Sequence, residues 1–492
     1  MKTRINGGWI VAWIDGAHQI LEQATMVYEG NRIIFIGSAN DPECPNSDTE
    51  IDARGKLVSP GLINLHCIAN LDLQLLRMDR NDSGKISKPK SFVFNDDVPF
   101  ILSDQDFKNS AEFSIATLLK GGTTTFATVT SSATKRWEEA SPESYALADV
   151  SADIGARAWI GHFYREGCEY IDESGVMAMK WDSKEAMKGL DNAIELIKYI
   201  RSKSNPRLTG FLFPARTDRC SDDLLKETMR QSKLFGGLHV RTHFSEYLHE
   251  YREFKSRNPK RTMVEWLDQI GFLGPNVCLT HVVYIAGHSD TGESPGEDLN
   301  ILSDSQTSVC HCPLVLAREG VALESFGRYL DAGINMGIGT DTFPPNILEE
   351  MRLAALINKI IDGRKDTGTI RDIYNAVTVG GAKALGRDDL GKLAVGCLAD
   401  ISIFDLTGLE TGAIDDPMRT LLTAGTGREC DMVIVDGKIL VRDGSLVGID
   451  ESDLMERAQI SWLNYKNGIA SWDVEQRSID LIVPQIFPSI AM

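Results

Sequence analysis

The apolar positions change their rhythm twice along the chain. Up to about residue 60 they fall in short runs bounded by Gly, Asn and Asp. Trp9-Ile10-Val11-Ala12-Trp13-Ile14 is one such run. The stretches 24–29 and 32–37 flank Gly30-Asn31, the signal for a tight hairpin. Residues 51–58 read as one further strand. From Ser59-Pro60-Gly61 to about 390 the pattern is different, with short apolar strands alternating with helical stretches. Strands are expected at 61–65, 123–129, 156–160, 210–214, 238–242, 277–280, 308–310 and 334–337. Helices are expected between them, for example at 183–203, 221–235 and 263–270. Strands alternating with helices in this way predict an α/β fold, a parallel (β/α)8 or TIM barrel.

Strand signals return after Leu390. Asp400-Ile401-Ser402-Ile403-Phe404-Asp405 is one, and 432–440 turns through a hairpin at Asp436-Gly437. Too few strands lie at either end to form a stable sheet alone. Residues 1–60 and 391–447 are therefore expected to build one small composite β-sandwich domain. The barrel occupies 61–390, and 448–492 reads as a C-terminal helical extension. The largest departure from the barrel pattern is a polar connection over about 72–110, rich in Asp, Lys, Ser and Pro. A long loop on the top face of a barrel is either a lid or a mobile excursion.

Four of the expected strands end in residues that bind metals or move protons. His66 ends the first, His243 and Glu246 the fifth, His281 the sixth and Asp341 the eighth. The C-terminal ends of barrel strands converge on one rim, where barrel active sites are built. Three imidazoles and a carboxylate on that rim make a site for a divalent transition metal. Glu246, three residues after His243, suits proton transfer to and from a metal-activated water. Cys310-His311-Cys312 is spaced too tightly for an ordinary zinc site and reads as semi-buried thiols.

In combination these segments resemble the amidohydrolase superfamily, in the branch of cytosine and guanine deaminases, triazine chlorohydrolases and phenylurea hydrolases. Pro60-Gly61-Leu62-Ile63-Asn64-Leu65-His66, His243-Phe244-Ser245-Glu246, Thr280-His281 and Gly339-Thr340-Asp341 resemble the first-, fifth-, sixth- and eighth-strand motifs. The segments 308–313, 348–352, 391–400 and 433–438 resemble others of that branch, so the likeness spans about 5–450. It implies a hydrolase acting on a C–N bond, amide or urea, of a small neutral molecule, with ring deamination or dechlorination as the alternative and a metal-free relative as a second. His66, His243 and Asp341 are the implied ligands of one divalent metal, zinc before iron. Asn70 and His281 are further candidate ligands. Glu246, His281 and Asp341 are the implied catalytic groups. Arg77, Phe163, Arg216 and His311 are candidate substrate contacts by strand-end position, and a homo-oligomer is the expected assembly. The family's His–x–His is broken, because Ile68 stands where the second imidazole belongs. Asn70 offers an amide oxygen, a weaker ligand. Arg216 and Thr217 stand at the fourth strand's end in place of a lysine, so a single metal is expected.

Composition narrows the partners. The net charge of −19 argues against nucleic acid, whose phosphates need a basic face, and against an anionic membrane surface. No stretch of 18 apolar residues appears, and Met1 to Gly8 lacks the apolar run of a signal peptide. Nine cysteines, an odd number scattered through 492 residues, fit a reducing cytoplasm better than a disulfide framework.

Overall fold

A computed structural model describes residues 1–71, 101–131, 135–137, 142–472, 477–482, 484–487 and 489. Eight parallel strands form the barrel: Leu62–Cys67, Thr123–Val129, Arg157–Tyr164, Leu208–Pro214, Val240–Phe244, Val277–His281, Ser308–His311 and Met336–Ile338. All eight lie where the apolar runs put them, within a few residues. Helices Asp104–Lys120, Pro142–Ile154, Ser183–Ser202, Asp222–Leu234 and Met263–Gln269 lie in the crossover connections, and Ile347–Asp362 follows the eighth strand.

The first and eighth strands are not paired along their lengths. Their link is made just above the eighth strand. Asp341 N–H donates to His66 O at 2.9 Å, Ile68 N–H donates to Asp341 O at 2.5 Å, and Asn64 Nδ2 donates to Thr340 Oγ1 at 2.8 Å. Gly339 makes this approach possible, because a Cβ there would come within 2.5 Å of His66 O. The barrel therefore closes at the level of the candidate site.

Strands from both chain ends share one sheet of nine. Lys2–Ile14 pairs with Ala17–Glu29, which pairs with Arg32–Gly37. Lys56–Pro60 pairs with Lys2–Ile14 on one side and with Ile401–Asp405 on the other. Cys430–Val435 and Lys438–Arg442 continue the order. Alternation explains how the sheet packs. Ile401, Ile403, Met432 and Ile434 join Ile5, Ile10 and Met26 in a core of the sheet's own. Phe404, Val433 and Val435, between them in sequence, pack into the barrel's core. The expected single strand over 51–58 is two, Thr49–Asp52 and Lys56–Pro60. Asp52 Oδ1 accepts from Arg54 N–H at 3.0 Å, and Gly55 at φ +75° turns the chain.

Most of the expected polar connection, 72–100, lies outside the described residues, and its last part is helical. Helix Asp104–Lys120 starts inside it, opened by a reciprocal cap in which Ser103 accepts from Asp106 N–H and Asp106 accepts from Ser103 N–H. Helix Glu451–Ile469 lies on this helix, through Asn109 Nδ2 to Ser461 Oγ at 3.1 Å and Arg457 to Glu112 at 2.7 Å. No described helix is long and apolar enough to cross a membrane.

Candidate metal centre and active site

His66, His243, His281 and Asp341 meet at the barrel rim. His66 Nε2 lies 3.1 Å from His243 Nε2 and 3.3 Å from Asp341 Oδ1. His243 Nε2 is 3.9 Å from the same oxygen, and His281 Nε2 is 3.6 Å from Asp341 Oδ2. Glu246 Oε2 completes the group, 3.8 Å from His281 Nε2. Two overlapping sets thus have metal-binding separations, His66–His243–Asp341 and Glu246–His281–Asp341, with donor atoms within 4.8 Å of one another.

The chemistry of these donors fits a cation. Burial drives the His66 imidazole down to about 3, against the pull of Asp341, so it is neutral and keeps a lone pair. Burial also lowers His281, more than Glu246 and Asp341 raise it. His243 Nδ1 lies 2.8 Å from the Ala215 carbonyl, which makes Nδ1 the protonated nitrogen and leaves Nε2 as the donor. Asp341 Oδ1 is buried without a hydrogen-bond partner. Burial pushes Asp341 up, yet His243 and His66 hold it well below the usual carboxylate range. A buried carboxylate oxygen aimed at neutral imidazole nitrogens suits one divalent ion.

The backbone at the rim is strained where it presents these groups. Ser245, His281, Val282 and Asp341 adopt φ of +48°, +78°, +51° and +56°. Non-glycine residues in that region cost about 1–3 kcal/mol each and cluster at functional sites.

Arg216 stands beside Glu246. Its Nη1 donates to Glu246 Oε2 at 2.7 Å, its Nη2 to Glu250, and its Nε to Asp218 Oδ1 at 3.3 Å. Burial opposes charging of the guanidinium, but Glu250, Asp218 and Glu246 hold it firmly protonated. Burial likewise raises Glu246, and His281 with Arg216 more than reverses that, so its carboxyl stays below the ordinary range. Glu250 goes the other way. Burial beside Asp218 and Glu246, which share one guanidinium with it, pushes its carboxyl up to about 8.

Of the other candidate contacts, Phe163 and His311 lie on the rim, buried, at the ends of the third and seventh strands. Burial takes His311 to about 3. Arg77 lies outside the described residues. Asn70 is buried, and its Nδ2 donates to Glu143 Oε1 at 3.0 Å. Glu143 in turn is paired with the buried Lys135, whose ammonium lies 5.4 Å from the Phe163 ring. Asn70 Oδ1 has no hydrogen-bond partner. The Ile68 side chain packs on the barrel core. Cys310 and Cys312 are free thiols, and fully buried rather than semi-buried.

Sequence reading alone misses Glu250 and the Lys135–Glu143 pair. Glu250 carries a signal, because Glu246–x–x–x–Glu250 puts two acids one turn apart. Lys135 and Glu143 carry none without the fold.

Comparison with known proteins agrees with this geometry. The model of the Amidohydrolase family matches residues 57–440. This chain belongs to the amidohydrolase family. It is thus a hydrolase of carbon–nitrogen bonds in a family of metal-dependent enzymes. It is 30% identical over 449 residues to the 5-methylthioadenosine/S-adenosylhomocysteine deaminase of Thermococcus kodakarensis, across 90% of this amidohydrolase and 94% of that one. The deaminase of the same name from Thermococcus onnurineus is 27% identical over 454 residues, covering 91% and 95%. The zinc complex of atrazine chlorohydrolase TrzN from Arthrobacter aurescens shares the fold at a TM-score of 0.76 and 20% identity, over 94% of this amidohydrolase and 100% of that chain.

Proposed function

We propose that this amidohydrolase removes an exocyclic amine from a neutral nitrogen heterocycle, with an aminopurine derivative as the first candidate. The observation that carries the reading is the convergence of Glu246, His281 and Asp341 within 4.8 Å, beside the His66–His243 pair. Hydrolysis at C–N needs a water made nucleophilic, a base that moves its proton to the departing nitrogen, and a donor for the charge that develops on the attacked carbon's substituent. His66, His243 and Asp341 would hold one divalent ion. When bound, that ion lowers the pKa of water and supplies the nucleophile. Two imidazoles and a carboxylate suit either zinc or iron, and zinc in TrzN supports zinc as the first choice.

Glu246 is the proton carrier. Arg216 keeps it ionised and fixes Oε2 at 2.7 Å, 3.8 Å from His281 Nε2. It takes the proton of the attacking water and returns it to the leaving nitrogen. His281, neutral and with neither ring nitrogen otherwise engaged, donates a hydrogen bond to the developing negative charge. Phe163 and His311 line the approach to the rim. The aminopurine class is supported by the Thermococcus deaminases, which are similar along nearly the whole chain. Amide or urea hydrolysis is the second reading, and Ile68 favours it, because this site departs from the deaminase pattern there. Nine cysteines, an odd number scattered along the chain, support a reducing, cytoplasmic setting, and a homo-oligomer is the assembly we expect.

The test is a substrate panel on protein of measured metal content. Ammonia release should be followed from adenosine, 5′-methylthioadenosine, S-adenosylhomocysteine and an aminotriazine. Arylureas and anilides should be followed by arylamine release. Ammonia from an aminopurine supports the first reading. Turnover of the ureas or anilides alone overturns it in favour of the second.

A further inference from the structure

One charged side chain inside the barrel plays no part in the chemistry above. Arg241 lies on the fifth strand, two residues before His243, and is 2% exposed. The alternation that points His243 into the barrel also points Arg241 there. Its neighbours in register are apolar or neutral. Arg241 pairs with Cys278 on the sixth strand, and Cys278 pairs with Ser308 on the seventh. On the other side the Arg241 guanidinium lies 5.7 Å from the Phe211 ring. Phe211 pairs with Gly161, where a Cβ would fall 2.4 Å from the Phe211 ring. The glycine thus leaves room for that ring beside the guanidinium.

No described carboxylate forms an ion pair with Arg241, and its Nε and Nη2 have no hydrogen-bond partner. Its register partner Cys278 offers only a thiol, a weak hydrogen-bond partner. A fixed guanidinium cannot shed its proton to escape burial, as a lysine can. A ring face offsets only part of the lost hydration. Buried charges are otherwise paired. Ser308 also faces this layer. Its Oγ accepts from Asn335 Nδ2 at 3.0 Å, which leaves its own O–H to donate.

We infer that the barrel interior holds a binding site for a small monovalent anion, chloride or an ion of similar size, on the Arg241 guanidinium beneath the metal centre. Cys278 and Ser308 border the site, and the Phe211 ring limits its size. The anion neutralises the buried cation and ties the fifth strand, which carries His243 and leads to Glu246, to the sixth and seventh.

The experiment uses the metal-loaded full chain at constant ionic strength, with sodium gluconate exchanged stepwise for chloride, bromide or nitrate. Gluconate is too large to enter the barrel. Thermal unfolding is measured for the wild type, Arg241→Met and Arg241→Lys. An anion that binds only the folded protein raises the unfolding temperature saturably. The wild type should show that rise with each small anion, Arg241→Lys a weaker one and Arg241→Met none. In gluconate Arg241→Met should unfold at a higher temperature than the wild type, because it removes an uncompensated charge. Halide held by the metal ion instead would shift the wild type and Arg241→Met alike, and that result overturns the inference. So does a wild type indifferent to anion identity. Crystals of the wild type soaked in bromide decide independently of any variant. An anomalous peak within hydrogen-bond distance of the Arg241 guanidinium is expected, and its absence at bromide occupancies seen elsewhere refutes the site.

Discussion

Replacing Glu250 by Gln should stabilise this enzyme in mild alkali, although it deletes an acid in contact with an arginine. The reason is that Arg216 meets three carboxylates, Glu246, Glu250 and Asp218. One cation cannot keep all three ionised in a buried setting, and Glu250 is the one pushed up, to about 8. Its folded value thus lies above its unfolded value, close to the ordinary 4.5. Such a group favours the folded state fully below the unfolded value and loses that contribution as pH rises through the folded one. Each unit of separation corresponds to about 1.4 kcal/mol. Between about pH 5.5 and pH 8 the wild type should therefore lose about 3 kcal/mol through this group. Gln keeps the shape and one acceptor oxygen for Tyr247 N–H and Arg216, as the protonated acid does, but has no proton to lose. The assay is urea unfolding of both proteins at the two pH values. Every other titrating group is common to both and cancels in the double difference. Glu250→Gln should gain on the wild type by about 3 kcal/mol on going to the higher pH. If Glu250 is instead an ordinary ionised partner of Arg216, the variant will be less stable at both pH values, by the few kcal/mol that breaking a buried pair costs, and the reasoning fails.

Other substitutions separate the roles assigned at the rim. His243→Ala removes a ligand and should lower bound metal, measured by elemental analysis, together with turnover; full metal content with full activity would remove His243 from the centre. Glu246→Gln should keep the metal while turnover falls by roughly 10²–10⁴, the range for a general acid–base group. Asn70→Ala should weaken metal affinity or activity by about 10–100-fold if Asn70 supports the centre, and a wild-type rate would confine it to the Glu143 network. Arg157 is buried between the barrel and the composite sheet, with Nε 2.6 Å from Asp400 Oδ2 and Nη2 3.2 Å from Asp436 Oδ1; Arg157→Met strands Asp400 and should cost about 3–5 kcal/mol in urea unfolding with little change in KM.

What the sequence showed and what it hid divide along a physical line. The barrel strands were legible because each is a short apolar run bounded by turn residues, a local property. His66, His243, His281 and Asp341 were legible because each directly follows such a run, and the barrel's geometry sends strand ends to one rim. The hidden features depend on partners far along the chain. Arg241 sits in an apolar strand, and only the register with Cys278 and Phe211's place beside it reveal a cation without a counter-charge. Glu143 and Lys135 pair from within a stretch whose sequence is plainly polar, and nothing local marks them as partners. The helix from Asp104 was masked by polar composition, though Ser103 and Asp106 carry its capping signal. The break at Ala53 to Gly55 was masked by apolar residues on both sides of it.

The first-strand motif shows how the two kinds of information part within three residues. The backbone of 66–68 closes the barrel, because His66 O accepts from Asp341 N–H at 2.9 Å and Ile68 N–H donates to Asp341 O at 2.5 Å. These bonds need no particular side chain at 68. They hold the Asp341 carboxylate 3.3 Å from His66 Nε2 whether or not a second imidazole stands there. An imidazole at 68 is therefore not needed for the geometry of the rest. The site keeps His66, His243 and Asp341 in place, and the Ile68 side chain is free to join the core. That independence of backbone and side chain is what allows a family motif to lapse at one position while the centre around it persists.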